Sequence, residues 1–315
     1  MTSAPLSDLH LLDKPVAASE IIPQSSPMRL IDTLVACHDA MGRVVARVPH
    51  DGLFVRPDGL LSSAGLTELI AQTAAAQQAY EAILAGNPPK QGFLVGIKDL
   101  RISGACAAGD TAEITCRRTF TMGEASLIEG TVRLGGRVLA EGVIKVWEQN
   151  EFPSRPDASP AAESSGSARQ ADDTPESPIR RALLARMRDI EVPSADAGLT
   201  APELPAIATA ALQLDADFPA FEGHFPDYPI LPAVVMLEIG LLLTEKAVGH
   251  PLDLLGIPHA KFSRTSYPDD MLVVTLATAS PLADGEPGEA LVRITRDGKR
   301  IASLTILVAK SPTCE

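Results

Sequence analysis

Aromatic residues are scarce in this chain: they make up 4% of its 315 residues, against 45% apolar residues overall. Its cores must therefore be filled by Ala, Val, Leu and Ile rather than by packed rings. Cysteine is nearly absent as well. Cys37, Cys106, Cys116 and Cys314 form no CxxC pair and have no histidine at metal-ligand spacing, which argues against a disulfide frame or a zinc site and predicts reduced thiols in a cytoplasmic protein. Positive charge is in deficit, with 27 Lys and Arg against 40 Asp and Glu for a net charge of −13. A chain without a basic cluster is not expected to bind nucleic acid. Long apolar runs are missing too. The longest follows Pro232, is broken by Glu238 and is too short to cross a bilayer. The opening MTSAPLSDLHLLDK has neither the basic flank nor the apolar stretch of a signal peptide. With no GxGxxG or GxxxxGK pattern, no metal, flavin or nicotinamide cofactor is expected.

What is present is arranged in two parts. At this length two domains are expected, each able to bury a real core. Residues 151–178 are rich in Pro, Ser, Ala and acids and bury too little to offset their ordering, so they read as a flexible linker. Domains are then expected at 15–150 and 179–312. In the first, 21–49 reads as two strands joined near His38. A long Ala-rich helix from Leu61 to about Leu84, capped by Ser62 or Ser63, comes next, and then three or four strands. In the second, IRRALLARMRDIEV reads as a short helix, AIATAALQL as a strand and Ala233–Val248 as a helix before a further run of strands. The order repeats. Val95–Asp110 aligns without gaps on Leu255–Asp270, and Val132-Arg133-Leu134 falls on Val292-Arg293-Ile294 at the same offset, which points to internal duplication.

The most informative stretch is Phe221–Leu243, FEGHFPDYPILPAVVMLEIGLLL. Pro226, Pro229 and Pro232 are expected to hold an extended loop carrying His224, and Pro232 stands where a helix start tolerates proline. The helix that follows is apolar but for Glu238 and Gly240. A lone histidine or glutamate in such a place is ordinarily a satisfied core group. A stiffly held histidine leading into an apolar helix with one acid suggests more.

That stretch, His-Phe-Pro-x-x-Pro-x-x-Pro and then a helix with a glutamate fourteen residues after the histidine, resembles the active-site segment of 3-hydroxyacyl-[acyl-carrier-protein] dehydratases. The first half carries Glu68 and Gln72 in GLTELIAQ, similar to the Glu-Ala-x-Ala-Gln helix of the same family. It places Phe54 where the second half has His224, while the second half places Leu242 where the first has Gln72. The resemblance implies an α+β fold of two tandem hot-dog domains, each an antiparallel sheet wrapped around a long helix, forming a pseudo-dimer within the chain. It also implies a site in which His224 from one half works with Glu68 from the other. Gln72 would hydrogen-bond Glu68 or the substrate hydroxyl, and the Ala233 amide, where family members often have glycine, would bind the thioester oxygen. Glu238, the second helix's acid, would face Phe54, with His50 its only rescue, leaving that site dead.

By the same resemblance the substrate is a (3R)-3-hydroxyacyl thioester on an acyl carrier protein. The halves resemble dehydratase-like proteins of aryl polyene or related synthesis, and further assembly into a homo-oligomer is open. Arg101, Lys261 and Arg264 are candidates to meet the carrier or its phosphopantetheine phosphate. Competing expectations are a hot-dog acyl thioesterase and a non-catalytic acyl- or carrier-binding module.

Overall fold

The computed structural model describes residues 11–149, 176–192, 207–225, 228–279 and 286–311. The expected linker lies outside these as far as residue 175, as do His10, Pro226 and Cys314. In chain order the first half holds β1 (Val16–Ala17), α1 (Ala18–Ile21), β2 (Thr33–His38), β3 (Met41–Arg47), α2 (Ser63–Leu84), β4 (Gln91–Ile102), β5 (Thr111–Met122), β6 (Ala125–Leu134) and β7 (Arg137–Gln149). The second holds α3 (Pro178–Leu184), β8 (Met187–Glu191), β9 (Ala208–Gln213), α4 (Ala233–Val248), β10 (Leu252–Phe262), β11 (Met271–Ala279), β12 (Gly288–Arg296) and β13 (Lys299–Lys310).

Each half wraps an antiparallel sheet around one helix, and the strands join into a single sheet in the order β1-β2-β3-β5-β6-β7-β4-β10-β13-β12-β11-β9-β8. Alternation decides which face turns inward. In β3, Val44 and Ala46 are buried while Val45 and Arg47 turn outward. α2 packs on β2, β3, β5 and β6, α4 packs on β9 and β11, and the two helices touch. Ser62 caps α2 by accepting the Gly65 amide, which satisfies one of its free N–H groups. Leu66, Leu69 and Ile70 then enter the core at 2% exposure or less, each contributing about 2 kcal/mol. α4 ends at Gly249, whose φ of +73° suits a residue without Cβ. Both halves are hot-dog domains.

The halves meet along β4 and β10 about a pseudo-two-fold axis. Gly256 pairs with Arg101 and Gly96 with Lys261, so an offset of 160 carries one pair onto the other. The strands approach closely here. A Cβ on Gly256 would lie 2.7 Å from the Leu100 carbonyl oxygen, so glycine is required. The turns that follow also match: the Ala107 amide donates to Asp110, and the Tyr267 amide to Asp270.

Some sequence expectations need correction. Residues 21–32 do not form the start of a strand. Leu30 gives its amide to the Gln72 side chain instead of a neighbouring strand, and β2 begins only at Thr33. IRRALLARMRDIEV divides into α3 and the edge strand β8, which pairs with β9. The offset of 160 does not extend to Val132-Arg133-Leu134. The β6–β7 hairpin closes on Leu134 and Arg137 and the β12–β13 hairpin on Arg296 and Lys299, an offset of 162, so Val132 corresponds to Ile294. Glu176, Ser177 and Pro178, within the expected linker, are engaged at the start of α3, where Ser177 is the N-cap.

Candidate active site

Glu68 and Gln72 lie one turn apart on α2, so their side chains share a face. Glu68 is 4% exposed. Burial disfavours its charged form and pushes the carboxyl up to about 7, against the opposing pull of the Gln72 amide. Gln72 is fully engaged. Its Nε2 donates to Glu68 Oε1 at 2.7 Å and to the Met28 carbonyl at 2.6 Å, while its Oε1 accepts the Leu30 amide at 2.8 Å. It does not line the cavity described below. Gln72 therefore fixes Glu68 and anchors the loop before β2.

His224 comes from the loop before α4. That loop is not simply extended. Phe225 has φ +56°, an unfavourable value for a residue with a Cβ, and its carbonyl accepts the Tyr228 amide in a tight turn. Packing holds it there, with the Phe225 ring 3% exposed and its centroid 5.8 Å from that of Phe93. His224 Nδ1 lies 3.0 Å from the Ile230 carbonyl oxygen. A carbonyl can only accept, so Nδ1 carries the proton and Nε2 keeps its lone pair. Desolvation lowers the imidazole to about 4, against the Ile230 bond that favours the charged form.

One cavity of about 430 Å³ is lined by Glu68, His224 and Ala233 together. Both halves therefore contribute to it. Ala233 opens α4, whose N-terminus has no side-chain cap, so the Ala233 amide can turn toward a negative oxygen. Below Glu68 the wall continues through Ala71, Ala75 and Gln78 along α2, toward Phe93, Val146 and Trp147. Arg264 is exposed and lines the cavity, whereas Arg101 and Lys261 are exposed elsewhere.

Glu238 lies in a different place. It lines a second cavity, also about 430 Å³, with no histidine among the described residues that line it. Phe54, fully buried, stands at the His224-equivalent position, and His50 is exposed and does not line that cavity. Arg180 of α3 enters instead. Its Nη1 reaches Glu238 at 3.4 Å, its Nε reaches Glu176 at 2.6 Å, and its Nη2 pairs with Glu245. Burial works against the guanidinium charge, but the three carboxylates raise its pKa overall. The sequence reading missed Arg180, although Glu238 and Glu245, seven residues apart on an apolar helix, are a signal that a buried cation is needed. Gln24, a further lining residue of the first cavity, carried no sequence signal.

Comparison with known proteins follows the same division of the chain. A family model described as ApeP dehydratase matches residues 16–155, and one described as ApeI dehydratase matches 203–284. The 3-hydroxyacyl-[acyl-carrier-protein] dehydratase FabZ of Polynucleobacter asymbioticus is 33% identical over 110 residues, 32% of this chain and 71% of that protein. The chain belongs to the 3-hydroxyacyl-[acyl-carrier-protein] dehydratase family. Against the FabZ of Hydrogenobaculum sp. identity is 41% over 71 residues, 20% of this chain. The chain spans about half the length of that curated relative, 48%. The tesB protein of Mycobacterium avium subspecies paratuberculosis shares the fold over most of both chains, 86% of this one and 93% of that one, with a TM-score of 0.51 and 13% identity. Within the dehydratase family, then, this chain carries both hot-dog units in one polypeptide.

Proposed function

We propose that the protein dehydrates (3R)-3-hydroxyacyl thioesters on an acyl carrier protein to trans-2-enoyl thioesters, at a single composite site. The observation that carries the reading is that His224 and Glu68, one from each half, line the same cavity, while Glu238 lines another and pairs with Arg180. Loss of water needs two proton transfers, and the two groups are poised for one each. His224, neutral above about 4, takes the α-proton at Nε2. Glu68, still protonated up to about 7, gives its proton to the departing 3-hydroxyl. The thioester oxygen gains negative charge as the α-proton leaves, and the Ala233 amide at the start of α4 is positioned to bind it. Gln72 keeps the Glu68 carboxyl in place. No step in this scheme calls for a metal or redox cofactor.

The acyl carrier protein is the proposed partner, with Arg264 the exposed cation that lines the cavity. The aryl polyene type of substrate is proposed on the strength of the two family-model matches. The test is water loss from 3-hydroxyacyl-carrier substrates by wild type, His224→Ala, Glu68→Gln and Glu238→Gln. The first two substitutions should lower kcat by at least a hundredfold, and Glu238→Gln should leave it within a few-fold. A fully active Glu68→Gln beside a dead Glu238→Gln would overturn the composite site.

A further inference from the structure

The loop between α1 and β2 passes between the two catalytic groups and is fastened on both sides. On one side the Ser25 amide donates to the Gly223 carbonyl at 3.0 Å, immediately before His224. The approach leaves no room for a side chain, since a Cβ on Gly223 would lie 2.3 Å from the Ser25 oxygen. On the other side, Met28 and Leu30 are bonded to the Gln72 amide that holds Glu68. Gln24 directly precedes the first fastening and lines the cavity with His224 and Glu68. It is 7% exposed, and its Oε1 has no hydrogen-bond partner among the described residues. Buried polar atoms are nearly always partnered, so an orphan acceptor on a residue that lines a site calls for a ligand that brings a donor.

We propose that Gln24 contacts the substrate and determines its specificity by accepting a hydrogen bond from the 3-hydroxyl. This rests on the dehydration reading above. The chemistry of the acyl group selects the partner. Its thioester offers acceptors only, a 3-oxo group would set oxygen against oxygen, and the 2-enoyl product has no donor at all. The 3-hydroxyl is the one donor at the reacting end. With its hydrogen directed to Gln24, an oxygen lone pair is free for the Glu68 proton. As the C–O bond breaks, the hydroxyl leaves as water with its own hydrogen and the one from Glu68. The α-proton goes to His224, and its bonding pair becomes the new C=C bond. Gln24 then has no partner on the product, which favours release of enoyl over hydroxyacyl thioester.

The experiment compares wild type, Gln24→Met and Gln24→Asn in both directions, with 3-hydroxyacyl and matching trans-2-enoyl N-acetylcysteamine thioesters. Met removes the acceptor, while Asn withdraws it and keeps the loop polar in case Met impairs folding. The contact exists in the bound hydroxyacyl state and the transition state but not in the bound enoyl state. Both variants should therefore raise KM for dehydration about tenfold with kcat little changed, and lower kcat for hydration about tenfold with KM little changed. The equilibrium constant ties the two kcat/KM losses together, so the split itself is the readout. A rise of KM in both directions would place Gln24 on the pantetheine-like arm and overturn the proposal, and so would unchanged constants, which would mean that Oε1 meets only water. Wild type that turns over neither thioester, nor their carrier-bound forms, would sink the dehydration reading itself and this inference with it.

Discussion

Replacing Glu68 by Gln should stabilise the protein in a pH-dependent way while abolishing its activity. The carboxyl rises from its ordinary 4.5 to about 7 because it is buried, so the folded state prefers its neutral form. The penalty of a raised carboxyl is absent below the unfolded value, grows between 4.5 and about 7, and is complete above that. A change of this size corresponds to about 3 kcal/mol in full, at about 1.4 kcal/mol for each tenfold change in proton affinity. At pH 5 only about 1 kcal/mol of it is present. Glutamine carries no charge at either pH and can still accept the Gln72 amide, so any fixed loss from its own NH2 is the same at both. Urea unfolding of both proteins at pH 5 and pH 8 isolates the difference. The chain's single tryptophan, Trp147, lies in the same half and lines the same cavity, which gives a local fluorescence signal. The gap in favour of Gln should widen by about 2 kcal/mol from pH 5 to pH 8. A gap that does not change with pH would refute the claim that Glu68 is held protonated by burial.

Further outcomes follow from the same geometry. The kcat/KM profile for dehydration should fall below about 4, where His224 protonates, and above about 7, where Glu68 ionises. Since the Gln72 bond lowers the Glu68 value, Gln72→Met should move the alkaline limb upward, and a downward shift would contradict its assigned role. Arg180→Met removes the partner of buried Glu238 and Glu245, and thermal or urea unfolding should show a loss of about 3–5 kcal/mol. Adding Glu238→Gln should recover part of that loss, and folded Arg180→Met should keep its dehydration rate.

The sequence made some features legible and hid others for physical reasons. Local signals served for the two long helices. Ser62 caps α2 and Gly249 ends α4 as their residue types suggest. The β4–β10 seam follows the ungapped 160-residue offset, because both strands must leave the same room for glycine. What failed was decided by contacts distant in sequence. The segment before β2 alternates like a strand, but Gln72, forty-two residues away from Leu30, captures its amide. The proline spacing around His224 suggests extension, yet burial of Phe225 beneath Phe93 sustains a left-handed turn. Arg180 stands in a segment that reads only as a short helix. Its partners lie 58 and 65 residues further along.

The two cavities together explain why the halves differ as they do. Two identical hot-dog units paired about a two-fold axis would each donate a histidine to one site and a glutamate to the other, making two equal sites. Here the first unit has Phe54 at the position of His224 in the second, and no histidine among the described residues lines the Glu238 cavity. A carboxylate left in an apolar helix without a role is a burden on the fold, because burying it unpaired costs several kcal/mol. The chain resolves this by bringing Arg180 in from α3, just where the second unit resumes, and by fastening α3 to the first unit through the Ile179 amide and the Leu53 carbonyl. The corresponding fastening in the other cavity is the Ser25 amide on the Gly223 carbonyl, and there the neighbouring residue is Gln24 with its unpartnered oxygen. A similar backbone tie therefore lies beside a buried cation in one cavity and beside a buried, unpartnered acceptor in the other. The first neutralises Glu238 and Glu245, while the second is the acceptor proposed to meet the substrate hydroxyl.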